Sequence, residues 1–380
     1  MTFIFFILVS IISFCALVLW GVDFYYFIIN RYCRFHIGRW ESTQEWQRAV
    51  IKRAIKWTKK TPTVKITDNS RYLLLDMIQG KYRSQTIQSW QNASLILGLM
   101  TLAPHEARES AKKYLNAEGN WRKKPVAVDA GMLAYAVLKV ADEPEYEYVK
   151  PAMDEITNII KRNTDKNGLI SYCGGIQNPE RYVDTLGLTC PFLALYARVY
   201  DCPEYAKLAF RQLEFYHDFG LYKDTALPNH AIDCESKLPL GVYGWGRGTV
   251  WYALGLIDTY QELPDGKDKK TLKQWISEAA NSYLRFQKED GGFGSSLHRI
   301  STYDSSATAG MAYFFRSCAH VLKNDEYQLY ADLCLECLKR VTRITGSIDW
   351  CQGDTKGIGI FAQTYDVMPF AQGLAIRAFK

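Results

Sequence analysis

Apolar residues recur every three or four positions along most of this chain, which is the spacing that predicts amphipathic or buried α-helices. Long alternation of apolar and polar residues, the pattern typical of β-strands, is absent from the sequence. The chain is therefore expected to be nearly all α. About twelve helices are predicted, over residues 45–58, 90–102, 107–115, 129–140, 148–160, 184–200, 205–216, 250–263, 272–286, 305–321, 327–341 and 366–379.

The predicted helices alternate between two kinds. Every second one is apolar nearly all round, as in DAGMLAYAVL and SSATAGMAYFF, whereas the others carry Lys, Glu and Arg on one face. A helix that is apolar all round is buried, and one with a polar face lies at the surface. We therefore predict an (α/α)6 barrel, in which an inner ring of about six helices lies inside an outer ring of about six. The loops that lead into the inner helices then meet at one mouth of the barrel.

The first segment differs from the rest because residues 2–22 carry no charged side chain. This length is enough to cross a membrane, and a cleaved signal peptide is disfavoured because no Lys or Arg precedes the apolar run and no small-x-small cleavage site follows it. Positive charge follows the segment, at Arg31, Arg34 and Arg39. We predict a single-pass anchor with a cytoplasmic domain, and an extracytoplasmic domain stays open as the alternative. The predicted division is an anchor at 1–30, a basic connector with the first helix at 31–60, and the barrel at 61–380.

Composition excludes several kinds of partner. The net charge of +6 is modest, and no dense stripe of Lys and Arg predicts nucleic-acid binding. The 10 cysteines are irregularly spaced, and the close pair Cys334 and Cys337 lies in an apolar helical pattern typical of buried thiols. We predict no metal and no cofactor. The glycine-rich segment at 349–359 lacks the ending of a phosphate-binding loop, so we interpret it as a rim loop that closes the last hairpin.

Chemically distinctive side chains occupy the positions that lead into the inner helices. An aspartate there often caps its helix, but capping does not explain tryptophan and arginine at equivalent positions. A stacking surface, a forked cation and backbone amides at a helix start together suit a flat anionic ligand. The candidate residues at the mouth are Trp90, Asp129, Asp184, Trp245, Arg247, Trp251, Asp304 and Tyr365.

Four segments resemble a known pair of families. The segments DAGML, YVDTLGLTCPFLA, WGRGTVWYALGLIDTY and YDSSATAGMAYFF are similar, in order and spacing, to the signatures of the unsaturated glucuronyl and unsaturated rhamnogalacturonyl hydrolases, glycoside hydrolase families 88 and 105. The resemblance covers residues 85–379 and implies the same (α/α)6 barrel. It also implies removal of a 4,5-unsaturated uronic acid from an oligosaccharide, by protonation at C4 and addition of water at C5, without a cofactor.

The resemblance also implies roles for the candidate residues. Asp184 matches the general acid/base, and Asp129 matches a carboxylate that assists it. Two close carboxylates would raise the pKa of one of them, leaving a proton available near neutrality. Arg247 matches an arginine that could bind the substrate carboxylate through its two-nitrogen fork. Trp245 and Trp251 would stack on the sugar ring, although packing between hairpins is the alternative for each.

Further positions concern substrate binding. His230 matches an active-site histidine, with a surface loop histidine as the alternative, and Trp90 is predicted to contact substrate from the mouth. The chain departs from the family pattern at Thr249–Val250, where Asn-Gly is common, and at Val128, where the glucuronyl enzymes tend to have histidine. These departures are expected to affect substrate choice.

Two other functions stay open at this point. The barrel could bind an acidic saccharide at the membrane without catalysis, in polysaccharide assembly or export. It could also carry out a different reaction on a uronic acid, as a lyase or an epimerase. The natural saccharide and the oligomeric state are left open.

Overall fold

The computed structural model describes residues 2–62, 64–65, 68–69, 71–80, 82–83 and 89–380. Gln85, at which the family resemblance begins, lies outside the described residues. The helices of the described part, in chain order, are α1 Thr2–Phe35, α2 Thr43–Lys59, α3 Leu73–Ile78, α4 Ser89–Leu99, α5 Pro104–Lys112, α6 Ala130–Val140, α7 Tyr146–Arg162, α8 Asp184–Val199, α9 Pro203–Phe219, α10 Gly246–Glu262, α11 Lys267–Leu284, α12 Ser305–Leu322, α13 Glu326–Arg340 and α14 Pro369–Arg377.

The helices form the predicted (α/α)6 barrel. Helices α4, α6, α8, α10, α12 and α14 each contact the next, and α14 contacts α4, so that the inner ring closes. Burial follows the predicted alternation. In α8 every residue from Thr185 to Ala197 is buried, whereas α9 buries one face only. The inner helices begin at the mouth, so that Asp184 and Arg247 lie in the first turns of neighbouring helices.

Helix α2 completes the outer ring, although the predicted division placed it in the connector. It contacts both α4 and α14, and the indole of the fully buried Trp46 donates a hydrogen bond to Thr342 Oγ1 at 2.8 Å. Gln372 of the inner helix α14 donates to the carbonyl of Val50 at 2.9 Å. We therefore propose that the barrel begins at α2 rather than at residue 61.

Short strands cover part of the mouth, where the sequence pattern predicted none. The strands described are β1 Val64–Lys65, β2 Tyr82–Arg83, β3 Glu180–Tyr182, β4 Asn229–Asp233, β5 Pro239–Tyr243, β6 Cys351–Gln352 and β7 Tyr365–Asp366. Strands β3, β4 and β5 form an antiparallel sheet with β4 in the centre, in which Tyr182 pairs with Ala231. Strands of two to five residues are too short for period-two alternation to be recognised.

Helix α1 extends beyond the predicted membrane segment. It continues as one helix to Phe35 and takes up the start of the predicted connector. Its apolar side chains are largely exposed, from Phe3 to Phe35. Within the described residues it is the one helix long and apolar enough to cross a membrane, and a signal sequence near an amino terminus would share these properties.

Candidate active site

The mouth of the barrel contains a cavity of about 280 Å³. Of the seven residues predicted to act on or bind substrate, five line it, and Asp129 and Trp245 lie outside its lining. The described residues that line the cavity are Trp90, Tyr172, Cys173, Tyr182, Asp184, Leu188, His230, Arg247, Trp251, Asp354, Thr355, Lys356 and Gly357.

Asp184 is the first residue of α8 and points into this cavity. Its side chain is only 16% exposed, and within the described part of the chain its Oδ2 atom has no hydrogen-bond partner. Burial raises the pKa of Asp184 to about 7, and the charge of Asp354 acts in the same direction, while Arg247 and the Trp251 indole lower it. A carboxyl group of this kind holds a proton near neutral pH and can give it up.

His230 lies beside Asp184 as a neutral histidine. It is on β4, and its Nε2 atom is 3.9 Å from Asp184 Oδ2. Burial lowers the pKa of His230 to about 4, and Arg247 lowers it further. The backbone N–H of Gly359 donates to His230 Nδ1 at 3.1 Å, so the ring proton is on Nε2 and faces the carboxyl group. The active-site interpretation of His230 is therefore favoured over the surface-loop one.

Arg247 is placed differently from the predicted substrate fork. Both terminal nitrogens donate to backbone carbonyls of the same loop, Nη1 to Gln352 at 2.7 Å and Nη2 to Gly353 at 2.8 Å. The side chain is almost fully buried. Its fork therefore holds the chain's own loop, and only the remaining N–H groups are left for a ligand. Its charge still reaches the site, because it lowers the pKa values of both Asp184 and His230.

Trp245 packs within the protein and does not provide the predicted stacking surface. Its ring lies 4.7 Å from that of His230 and 5.3 Å from that of Phe361, and its indole N–H donates to Gln352 Oε1 at 3.2 Å. A Cβ atom at Gly248 would lie 2.6 Å from the Trp245 ring. Gly248 therefore makes room for the tryptophan, which packs against His230.

Trp251 and Trp90 both line the cavity, as predicted. Their rings meet edge to face at 5.4 Å, and Phe370 packs against both of them. Gly187 of α8 allows this arrangement, because a Cβ atom there would lie 2.7 Å from the Trp251 ring. The packing interpretation of Trp251 is therefore confirmed, and stacking on a sugar ring stays a prediction for the part of the ring that lines the cavity.

Asp129 is not the carboxylate that perturbs Asp184. Burial raises the pKa of Asp129, with the charge of Asp354 also raising it. The predicted rise in the pKa of Asp184 is present, but its neighbouring carboxylate is Asp354. Asp304 caps α12, as the capping interpretation predicts. Its side chain accepts the backbone N–H of Ser306 at 2.9 Å.

Asp354 is the main residue that the sequence analysis missed. It lies in the loop interpreted there as a rim, directly after the two carbonyls that bind Arg247. The loop leads into the inner helix α14, as the loops that carry the other candidate residues lead into theirs. That position was the available signal. The glycine-rich pattern around Asp354 is typical of a loop and does not itself indicate a functional carboxylate.

Two tyrosines were also missed. The rings of Tyr172 and Tyr182 are 5.5 Å apart and line one wall of the cavity. Burial and the charges of Asp184, Asp129 and Asp354 raise the pKa of Tyr172, so that its hydroxyl stays protonated as a donor. Tyr182 donates to Glu180 at 2.9 Å from β3. Tyr182 is two residues before Asp184, but a β-strand at that point was not predicted.

The departures from the family pattern do not lie at the cavity. Thr249 is buried and donates from Oγ1 to the carbonyl of Trp245 at 3.0 Å. Val250 is buried against Gly310 of α12, and Val128 is also buried. The expectation that these positions affect substrate choice therefore lacks a direct contact in the structure.

The sequence pattern of Glycosyl Hydrolase Family 88 matches residues 50–377, which include all the inner helices and the cavity. The chain belongs to glycosyl hydrolase family 88. This family 88 chain is thus an enzyme of the glycoside hydrolase class, and its match from residue 50 includes most of α2. None of the curated proteins compared with it matches its sequence.

Solved structures share the fold of this family 88 chain at low sequence identity. A possible member of glycoside hydrolase family 105 from Salmonella enterica serovar Paratyphi A is 17% identical, with a TM-score of 0.73 over 89% of this chain and 93% of that one. The unsaturated glucuronyl hydrolase of Bacillus sp. GL1 is 17% identical, with a TM-score of 0.64 over 87% and 95%. A protein described as a polysaccharide lyase is 15% identical, with a TM-score of 0.61 over 87% and 96%. These likenesses show the six-hairpin fold.

Proposed function

We propose that this family 88 chain removes a 4,5-unsaturated uronic acid from the end of an oligosaccharide by hydrating its enol ether. The observation that carries the proposal is Asp184, a buried carboxyl group with a pKa of about 7 whose Oδ2 is unpartnered within the described residues. The fold it shares with the Bacillus unsaturated glucuronyl hydrolase supports the proposal.

The proposed reaction uses Asp184 twice. Its proton passes to C4 of the double bond between C4 and C5, and the ring oxygen stabilises the positive charge that develops at C5. Water then adds to C5 and returns one proton to the Asp184 carboxylate. The product at C5 is a hemiketal, which opens and releases the rest of the saccharide. The acid is regenerated, and one water molecule is consumed.

Neighbouring residues support each stage of this reaction. Neutral His230, with its proton on Nε2, stabilises the Asp184 carboxylate after proton transfer. The positive charge of Arg247, whose side chain is almost fully buried, also stabilises the Asp184 carboxylate. Asp129 lies outside the cavity lining and assists Asp184 from there. Asp354 is the second carboxylate that lines the cavity.

The cavity suits a small anionic ring. Its volume of about 280 Å³ is at the small end for ligand pockets, so one sugar residue fits inside and the rest of the saccharide extends outward. Trp90 and Trp251 form one wall, and Tyr172 and Tyr182 form another. Lys356 at the rim is ion-paired with Asp68.

The test is the ultraviolet absorbance of the conjugated enol ether, which hydration removes. The full-length protein in detergent is mixed with unsaturated glucuronyl and galacturonyl disaccharides. We expect absorbance to fall for at least one substrate and to stay constant with Asp184→Asn. Asp142→Asn, at an exposed surface ion pair, is the matched control and keeps full activity. Undiminished turnover by Asp184→Asn would remove Asp184 from the mechanism.

A lyase is the second candidate, and the shared fold with a described polysaccharide lyase favours it. The same assay separates the two, because a lyase creates the conjugated double bond and makes absorbance rise with an intact uronate polysaccharide. A saccharide-binding protein would instead bind the disaccharides with no change in absorbance. Binding that survives Asp184→Asn, without turnover in the unchanged protein, would select that function.

We also propose that α1 anchors the enzyme in a membrane, with the barrel in the cytoplasm. The exposed apolar face from Phe3 to Ile29 supports the anchor, and Arg31 and Arg39 on its carboxyl side support the orientation. Cys173 is exposed at the cavity and Cys234 is half-buried. Labelling of Cys173 in intact cells by an impermeant thiol reagent, absent in Cys173→Ser, would place the barrel outside.

A further inference from the structure

The carboxyl end of the anchor helix α1 is bonded to the barrel. Arg34 donates from Nε to Asp349 Oδ2 at 2.7 Å and from Nη2 to Asp349 Oδ1 at 2.9 Å. The same Nη2 donates to the carbonyl of Tyr365 at 3.0 Å, and the guanidinium lies 4.9 Å from the Trp350 ring. A bidentate pair to a carboxylate fixes both partners in one geometry.

Asp349 is a fully buried carboxylate shared by two arginines. Its side chain is 0% exposed, and Arg343 donates to Oδ2 at 2.7 Å alongside Arg34. Burial by itself would raise its pKa, but Arg34 and Arg343 outweigh burial and lower the pKa of Asp349. Removing one of two cations from a buried carboxylate leaves charge under-compensated and displaces the backbone that carries it.

That backbone leads directly into the cavity. Trp350 has a left-handed φ of 61° and accepts the N–H of Ser305 at 3.0 Å. The carbonyls of Gln352 and Gly353 then bind Arg247 at 2.7 and 2.8 Å, and Asp354 follows at the cavity wall. The segment 349–354 is therefore held at one end by an arginine of the anchor helix and near the other by an arginine of the active site.

We propose that Arg34 is a positioning residue, through which the membrane anchor holds Asp354 in the catalytic cavity. The proposal rests on the function proposed above. Burial is the main cause of the raised pKa of Asp184, and the charge of Asp354 raises it further, so the placement of the 349–354 segment adjusts the pH range in which Asp184 holds its proton. Helix α1 then positions an active-site segment as well as attaching the protein to the membrane.

The experiment compares three variants of the full-length protein in lipid nanodiscs. Arg34→Ala removes the bidentate pair, Arg34→Lys keeps a cation that reaches one oxygen, and Arg31→Ala is the matched control on the same helix. Arg31 contacts the ring of Phe27 at 5.5 Å, within α1 itself. Amide hydrogen exchange over 349–357 and the pH dependence of kcat/KM are measured for each.

We expect faster exchange over 349–357 in Arg34→Ala, a fall in kcat/KM of about ten- to a hundredfold, and a shift of the upper pH limb to lower pH. Arg34→Lys should recover part of all three, and Arg31→Ala should match the unchanged protein. Exchange and a pH limb in Arg34→Ala equal to those in Arg31→Ala would overturn the proposal. If the unchanged protein shows no turnover, the proposed function fails, and unaltered exchange in Arg34→Ala still overturns the link between the anchor and the segment.

Discussion

Both ends of the barrel bury carboxylates, but among the described residues a buried carboxylate oxygen without a hydrogen-bond partner occurs only at the mouth. At the far end, Asp258 is 2% exposed and its two oxygens accept from Arg377 at 2.9 and 2.7 Å, with Tyr313 donating at 2.6 Å. At the mouth, Oδ2 of Asp184 has no hydrogen-bond partner among the described residues, and His230 Nε2 lies 3.9 Å from it.

A second far-end carboxylate shows the same difference. Glu262 is fully buried and is bound by Lys139, by Arg198 at 2.6 Å and by Tyr135 at 2.9 Å. Burial alone would raise the pKa of Glu262, but these partners lower it. The comparison teaches that burial has opposite consequences in one barrel. With cations bonded directly to the carboxylate it gives a fixed negative charge that ties helices together, and without such a bond it leaves a carboxyl group that holds a proton near neutral pH.

The largest expected effect comes from Asp184→Asn. Loss of a general acid lowers rates by about 10²–10⁴-fold, so turnover of an unsaturated disaccharide should become undetectable while the fold is kept. The absorbance assay checks the loss of turnover, and a far-ultraviolet circular dichroism spectrum checks that the fold is kept. A variant that lost activity because it unfolded would leave the role of Asp184 without support.

Asp258→Asn should have the complementary effect, on stability. Breaking a buried ion pair from one side costs about 3–5 kcal/mol, because Arg377 is left buried with its charge uncompensated. Denaturant unfolding of the full-length protein should show this loss of free energy of unfolding. Asp142→Asn, at an exposed ion pair, should leave the free energy of unfolding nearly unchanged. Equal stabilities in the two variants would contradict the structural role given to the far end.

The two ends should also respond oppositely to pH. The folded-state pKa of Asp184 is raised to about 7, so the folded state binds the proton more tightly, and stability should fall as pH rises from about 4 to about 7. The folded-state pKa of Glu262 is lowered, so its contribution is present above the unfolded pKa and is lost as pH falls through the folded one. Asp184→Asn should abolish a loss on the order of 4 kcal/mol, measured as unfolding free energy against pH. Glu262→Gln should instead reduce the loss of unfolding free energy at acid pH.

The smallest expected effect separates the two other carboxylates at the mouth. Asp354→Asn should move the upper pH limb of kcat/KM to lower pH, because the charge of Asp354 raises the pKa of Asp184. Asp129→Asn should lower kcat and leave that limb in place, since Asp129 lies outside the cavity lining. A limb that moves with Asp129→Asn and stays with Asp354→Asn would reverse these assignments.

The barrel was predictable because helix periodicity and the alternation of buried and half-exposed helices are local properties of the sequence. Asp184, the proposed proton donor, was identified from the sequence because it stands at the start of an inner helix and matches a family motif. The partners of each side chain were less predictable. Nothing local shows that the fork of Arg247 binds residues more than a hundred positions away, or that Trp245 packs on a histidine carried by a short strand.

The most direct test of the account is a reaction in heavy water, with the position of deuterium in the product read by nuclear magnetic resonance. If Asp184 protonates the enol ether, its exchangeable proton becomes deuterium before transfer. We predict one deuterium at C4 of the released uronic acid with the unchanged protein, and no product with Asp184→Asn. Deuterium spread over both faces of C4 rather than one, which ketonisation in solution of the enol released by displacement at the anomeric carbon would give, would contradict the account.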